Sequence, residues 1–184
     1  MNYIFLDLEY NQPSNVKATF KFAKYIKNEV IEIGAVKTDE KLNIINSFKC
    51  YIKPYLQPNI RPEILKLMGF EDQKYIMTNG VRFKHAMNLF KNFVGNEDFK
   101  FIVWGGMNDI NILKQNCGTW RVNYNWFKTK KIIDVQQNYM KLVNINQTPS
   151  LEKALTNLEI ENNPDKLHGA LNDCFYTLHV ARKI

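Results

Sequence analysis

Four acidic residues and one histidine in this chain have the types and spacings that metal-ion chemistry requires. The segment FLDLEYN places Asp7 and Glu9 two residues apart, and on a β-strand such residues share one face. Adjacent carboxylates repel unless water or a hard cation such as Mg²⁺ or Mn²⁺ neutralises them. The rest of that run, Tyr-Ile-Phe-Leu, is too apolar for an exposed edge. Its acids lie toward the C-terminal end, where α/β sheets place ligands. A second segment, WGGMNDINIL, sets Asp109 after a strand and a Gly-Gly turn. Two readings stand open there: Asn108 or Asp109 caps the next helix, worth about 1 kcal/mol, or Asp109 joins the other acids. In the third segment, HGALNDCFYTLHV, a helical projection gathers Ala170, Asp173, Thr177 and Ala181 into a stripe of small residues, beside bulkier Leu171, Phe175 and Leu178. A carboxylate in that stripe needs a partner, and a cation shared with Asp7 and Glu9 would be one. His168 falls before the helix, in a loop; His85 and His179 read as structural or surface residues.

The elements that must position these residues follow from β-rich and helix-periodic runs. Tyr3 to Leu8, Glu29 to Lys37 and Ile44 to Ile52 read as strands, the last two close enough for a hairpin, so the chain opens on an antiparallel meander. A short helix over Glu63 to Met68 ends at Gly69, and Val81, Ala86, Leu89, Phe90 and Phe93 mark a helix reaching Val94. Phe101 to Trp104 predicts a buried strand, with Trp104 inside it, followed by a helix from about Asn108 to Cys117. Lys131 to Val135 predicts another strand, leading into a helix near Gln136 to Leu142 with Asp134 as its cap. Ser150 opens a further helix, and a long one from about Gly169 to Lys183 closes the chain. Trp120 and Trp126 read as packing residues. Strands first and then alternating strands and helices imply an α/β fold with a mixed sheet covered by helices.

Length and composition narrow the class. A chain of 184 residues with 45% hydrophobic and 23% charged residues suits one domain spanning 1–184 and excludes collagen-like, disordered and disulfide-scaffold classes. Cys50, Cys117 and Cys174 are odd in number, widely spaced and form no CxxC pair, as in a reducing cytosol. No run approaches a membrane span and the N-terminus lacks a signal-peptide core, so a cytoplasmic protein without a membrane partner is expected. The net charge of +7, from 25 basic and 18 acidic residues, favours a polyanionic partner, although 21 of the 25 are lysine, as AT-rich codon usage alone would produce.

Taken together, FLDLEYN, EIGAVK, WGGMNDINIL and HGALND resemble the motifs of the DEDDh (DnaQ-like) 3′–5′ exonuclease superfamily, closest to its KapD-like and histone-mRNA-exonuclease-like branch. The resemblance implies an RNase H-like mixed sheet of about five strands. It implies that Asp7, Glu9, Asp109 and Asp173 bind two Mg²⁺ or Mn²⁺ ions and that His168 is the general base. The implied substrate is the 3′ end of single-stranded RNA or DNA, released as nucleoside 5′-monophosphates. The chain departs from the family pattern at three places. Tyr10 follows the motif glutamate where many members have Thr, and Met68 and Phe70 stand in Leu-Met-Gly-Phe where Leu-Thr-Gly-Ile is usual, so Phe70 offers a stacking surface. The segment from Asn11 to Asn28 is longer; if helical, it aligns Lys17, Lys21, Lys24 and Lys27 in one arc, as a substrate guide or a solvated face. An inactive RNase H-like nucleic-acid-binding module and a polymerase-associated proofreading subunit are the alternative functions.

Overall fold

A computed structural model of the chain describes residues 1–12, 27–162 and 168–184. The lysine arc at Lys17, Lys21 and Lys24 lies outside the described residues; Lys27 is exposed. Five strands form one mixed sheet: β1 (Asn2–Asn11), β2 (Glu29–Thr38), β3 (Ile44–Tyr51), β4 (Phe99–Val103) and β5 (Ile132–Asp134), in the order β3-β2-β1-β4-β5. The first three are the antiparallel meander foreseen above, and β4 and β5 add to it in parallel. β1 is central because its residues are apolar on both faces. Ile4, Leu6 and Leu8 pack with Phe83, Ala86, Met87 and Phe90 of α3 (Phe83–Val94) and with Ile110, Leu113 and Cys117 of α4 (Asn108–Thr119). Phe5, on the other face, packs with Val135 and Tyr139 of α6 (Val135–Val143), Leu155 of α7 (Leu151–Asn157) and Leu178 of α8 (Ala170–Lys183).

Three short helices complete the described elements: α1 (Pro62–Leu67), α2 (Lys74–Asn79) and α5 (Asn125–Lys128). The last two escape sequence reading because six and four residues are too few to show a helical period. Val81 leaves the helix assigned to it and instead bridges Ile52 beside the sheet. Leu89 is 38% exposed, so the core face of α3 runs through Ala86, Met87 and Phe90 rather than through Leu89. Trp104 lies one residue past β4, half-buried against Tyr139, rather than within the buried strand. Asp134 and Ser150 cap α6 and α7 as foreseen, accepting from the N–H groups of Gln137 and Lys153 at 3.3 and 3.2 Å. Cys50, Cys117 and Cys174 are buried free thiols, and among the described residues no helix is long and apolar enough to cross a membrane.

Candidate active site

The sheet register brings the first acids together. Asp7 and Glu9 continue the face of β1 that carries Phe5, turned toward α8. β4 pairs with β1 only from Asn2 to Phe5, so beyond Phe5 the strand has no parallel neighbour beside Asp7. A bulge follows between Glu9 and Tyr10, a device that re-aims side chains beside sites. Across the sheet, Asp7 lies opposite Gly34, which faces Lys49, and Glu9 lies opposite Glu32, which faces Tyr51.

Asp173 comes from α8, and Gly34 is what lets α8 approach. A Cβ on Gly34 would lie 2.2 Å from Ala170 C and Leu171 N, an overlap with backbone that no side-chain movement relieves. The Cys174 thiol donates to the Gly34 carbonyl at 3.3 Å, tying the same turn to β2. The carboxylate oxygens of Asp7, Glu9 and Asp173 lie within 4.8 Å of one another. His168 is exposed, takes a left-handed conformation (φ 70°) and donates its backbone N–H to Asp173 at 3.4 Å.

Asp109 enters from α4. Gly105 and Gly106 both take left-handed φ values, 90° and 86°, which turn the chain sharply between β4 and α4. Met107 is the N-cap and no side chain caps this helix, so neither Asn108 nor Asp109 fills the capping role left open by the sequence. Asp109 lies outside the cluster of three, yet it is the strongest charge acting on Asp7.

Electrostatics describes a site built for a cation. Burial, followed by the charges of Asp109, Asp173 and Glu9, raises the Asp7 carboxyl well above its ordinary range. Burial and then Glu32 push Glu9 up to about 9. Burial raises Asp109, and it raises Asp173 to about 6 against the opposing pull of the His168 N–H. An all-oxygen, anionic, half-buried donor set fits a hard divalent ion, which neutralises what the protein leaves unpaired.

Tyr10 is half-buried against the first core cluster, and its phenol is raised by burial and then by Asp109, Glu9 and Asp7, so it borders the acids. Met68 and Phe70 pack over Ile31, Leu65 and Ile76. Phe70 stacks on Tyr75 (centroids 5.4 Å apart) and meets Tyr51 edge-on at 5.7 Å, which places this aromatic group beside the row of Glu9 and Glu32. Two buried polar side chains hold the loop leading to it. Glu29 accepts from the N–H groups of Tyr55, Leu56 and Gln57 at 2.7 to 3.0 Å. Asn11 donates to the carbonyls of Gln57 and Asn59 and accepts from the Arg61 N–H.

Sequence reading passed over Glu32, Lys49 and Tyr51. The signal for Glu32 was present: a charge between Ile31 and Ile33, inside an apolar run, on the strand beside the paired acids. Its burial, at 1% exposure, is reinforced by Lys49, whose Nζ lies 3.5 Å from Oε1.

Comparison with known proteins agrees with this geometry. The nuclease domain of 3′hExo, described as a DEDDh family member bound to rAMP, superposes with a TM-score of 0.76 at 17% identity, over 98% of this chain and 90% of that one. A 3′-exonuclease solved in the context of 3′-end recognition of a histone mRNA stem-loop gives a TM-score of 0.76 at 18% identity, over 98% of this chain and 62% of that one. E. coli exonuclease I with a dA16 oligonucleotide gives 0.73 at 16% identity, over 98% of this chain and 40% of that one. The chain thus spans less than two thirds of the length of the histone mRNA 3′-exonuclease and of exonuclease I. No curated protein matches. A family model described as an exonuclease, of the RNase T type, matches residues 4–181, and the chain belongs to this exonuclease family.

Proposed function

We propose that the protein removes nucleoside 5′-monophosphates stepwise from the 3′ end of single-stranded RNA or DNA. The observation that carries this reading is the convergence of Asp7, Glu9 and Asp173 within 4.8 Å of one another, in a chain whose family is exonucleolytic. In this reading Asp7, Glu9 and Asp173 hold one Mg²⁺ or Mn²⁺ ion, and Asp7 and Asp109 hold a second. Bound there, such ions would supply Lewis-acid chemistry for an attacking water and for the leaving 3′ oxygen of an in-line displacement.

The chain's own groups supply the rest. His168 takes the proton of the attacking water, a task suited to an imidazole near neutral pH. Its backbone N–H donates to Asp173 at 3.4 Å, which keeps it beside the acids. Phe70, supported by Tyr75 and Tyr51, offers a stacking face for a terminal base. Tyr10, beside the acids, and Met68, packed with Phe70, are proposed as further substrate contacts, and Lys17, Lys21 and Lys24 are proposed to guide the backbone.

Release of nucleoside monophosphate from a 3′-labelled oligonucleotide in Mn²⁺ tests this reading. Asp7→Ala should abolish release while leaving the melting temperature within a few degrees of the parent, and undiminished release by that variant would sink the assignment. Mn²⁺ binding by the unmodified protein without hydrolysis of ssRNA or ssDNA would return it to an inactive binding module.

A further inference from the structure

Glu32 is a buried acid placed where burial is unfavourable. It faces Glu9 directly across β1 and β2, and carboxylates that close repel. A role beyond solvation is therefore called for. Two contacts define it. Lys49 of β3 approaches Oε1 at 3.5 Å, the only charge pairing of an oxygen that lacks a hydrogen-bond partner among the described residues. From the other side, the first turn of α8 lies against β2, where a Cβ on Gly34 would come within 2.2 Å of Leu171 N, and the Leu171 N–H acts on the Glu32 carboxyl to lower its pKa.

Leu171 is the second residue of α8. The first N–H groups of a helix have no partner within it, and the N-cap of α8, Gly169, has no side chain to supply one. The first intrahelical bond here runs from the Asp173 N–H to the Gly169 carbonyl at 3.0 Å. That leaves the turn that presents Asp173 to be fastened from outside the helix, and the strand packed against it carries both Gly34 and the Glu32 carboxylate. Gly34 removes the steric obstacle to that approach, and Cys174 adds a tie one turn further on.

We propose that Glu32 is a positioning residue for the metal site: it caps α8 from β2 and so fixes Asp173 against Asp7 and Glu9, with Lys49 holding Glu32 in place from β3. This rests on the reading of the site given under Proposed function. Glu32 itself touches no reacting atom.

Glu32→Gln and Glu32→Ala separate this role from others. Gln keeps an acceptor for the Leu171 N–H; Ala removes it. Three quantities are read: exchange of the Leu171 amide in metal-free protein by NMR, Mn²⁺ affinity by calorimetry, and kcat and KM on an oligonucleotide. Glu32→Ala should accelerate Leu171 exchange and lower Mn²⁺ affinity about 10- to 100-fold, the range for partners that orient metal ligands. Its kcat should fall while KM stays near the parent value. Glu32→Gln should keep Leu171 protected and Mn²⁺ affinity within roughly threefold of the parent. Unchanged Leu171 protection in Glu32→Ala would overturn the proposal. So would a Glu32→Gln protein that keeps Leu171 protected yet binds Mn²⁺ as poorly as Glu32→Ala, because Glu32 would then be a ligand. Should Glu32→Ala fail to fold, Glu32→Gln decides against the parent: Mn²⁺ affinity that follows Leu171 protection supports the proposal, and affinity lowered about tenfold or more with Leu171 still protected overturns it. An unmodified protein that neither binds Mn²⁺ nor hydrolyses oligonucleotides would overturn the functional reading, whereas the Leu171 exchange rates judge the cap independently.

Discussion

At the scale of single residues, the site is a set of charges held against their own repulsion. Glu9 shows the consequence most directly: its carboxyl is pushed from the ordinary 4.5 up to about 9, first by burial and then by Glu32. The unfolded chain gives up this proton near pH 4.5, whereas the metal-free fold holds it to about 9. The folded state therefore binds more protons between those values, and the contribution of Glu9 to stability declines as pH rises through that window. Asp173, raised to about 6, follows the same sign over a narrower range. We expect Glu9→Gln to melt above the parent in EDTA, by roughly 2–4 °C for each kcal/mol recovered, with the gap widening from pH 5 to pH 9. Saturating Mn²⁺ should close or reverse that gap, because only the parent keeps the ligand. Thermal melts across that pH range with and without Mn²⁺ check this, and a gap independent of pH would refute it. His168 is a different case, since its exposed position over Asp173 comes from a left-handed backbone that its residue type does not announce.

At the scale of elements, α8 and α4 carry the acids that β1 lacks. The small-residue stripe of α8 was visible in the sequence, but the partner that made it useful was not. Gly34 is one glycine in a ten-residue strand of mostly buried residues, and nothing local distinguishes it from a bulge or a flexible point. Its function appears only when Ala170 and Leu171 are seen against it. Gly34→Ala should therefore cost about 1–3 kcal/mol, the range for overpacking. It should also lower Mn²⁺ affinity, because α8 must retreat and take Asp173 with it. Calorimetric melting together with Mn²⁺ titration tests both effects; a variant with parental stability and affinity would remove the close-approach account. Asn11 and Glu29 act similarly on the loop before α1. Both were legible only as polar residues at strand ends, and the structure assigns them the backbone groups of Tyr55 to Arg61.

At the scale of the whole molecule, the net charge of +7 is distributed unevenly. With four acids gathered at the site, the remaining surface is more basic than the total by about four charges. We expect kcat/KM on a single-stranded oligonucleotide to fall about 20-fold between 50 and 200 mM salt, from roughly three backbone contacts. The loss should reside in KM. Rates that change less than twofold across that range would remove phosphate contacts from the substrate interface. Much of the architecture was already written along the chain. The order of strands and helices, the central place of β1 and the identities of the motif acids follow from apolar patterning, because a strand apolar on both faces must be covered on both. The antiparallel start and the caps at Asp134 and Ser150 follow from local turn and cap chemistry, which depends on neighbours in sequence. The approach of α8 over Gly34 and the tie of Asn11 to the loop at Gln57 and Asn59 do not. These are contacts between residues up to 140 positions apart, as for Cys174 and Gly34. Periodicity tells which face of an element is buried; only the folded chain decides which backbone or carboxylate it is buried against.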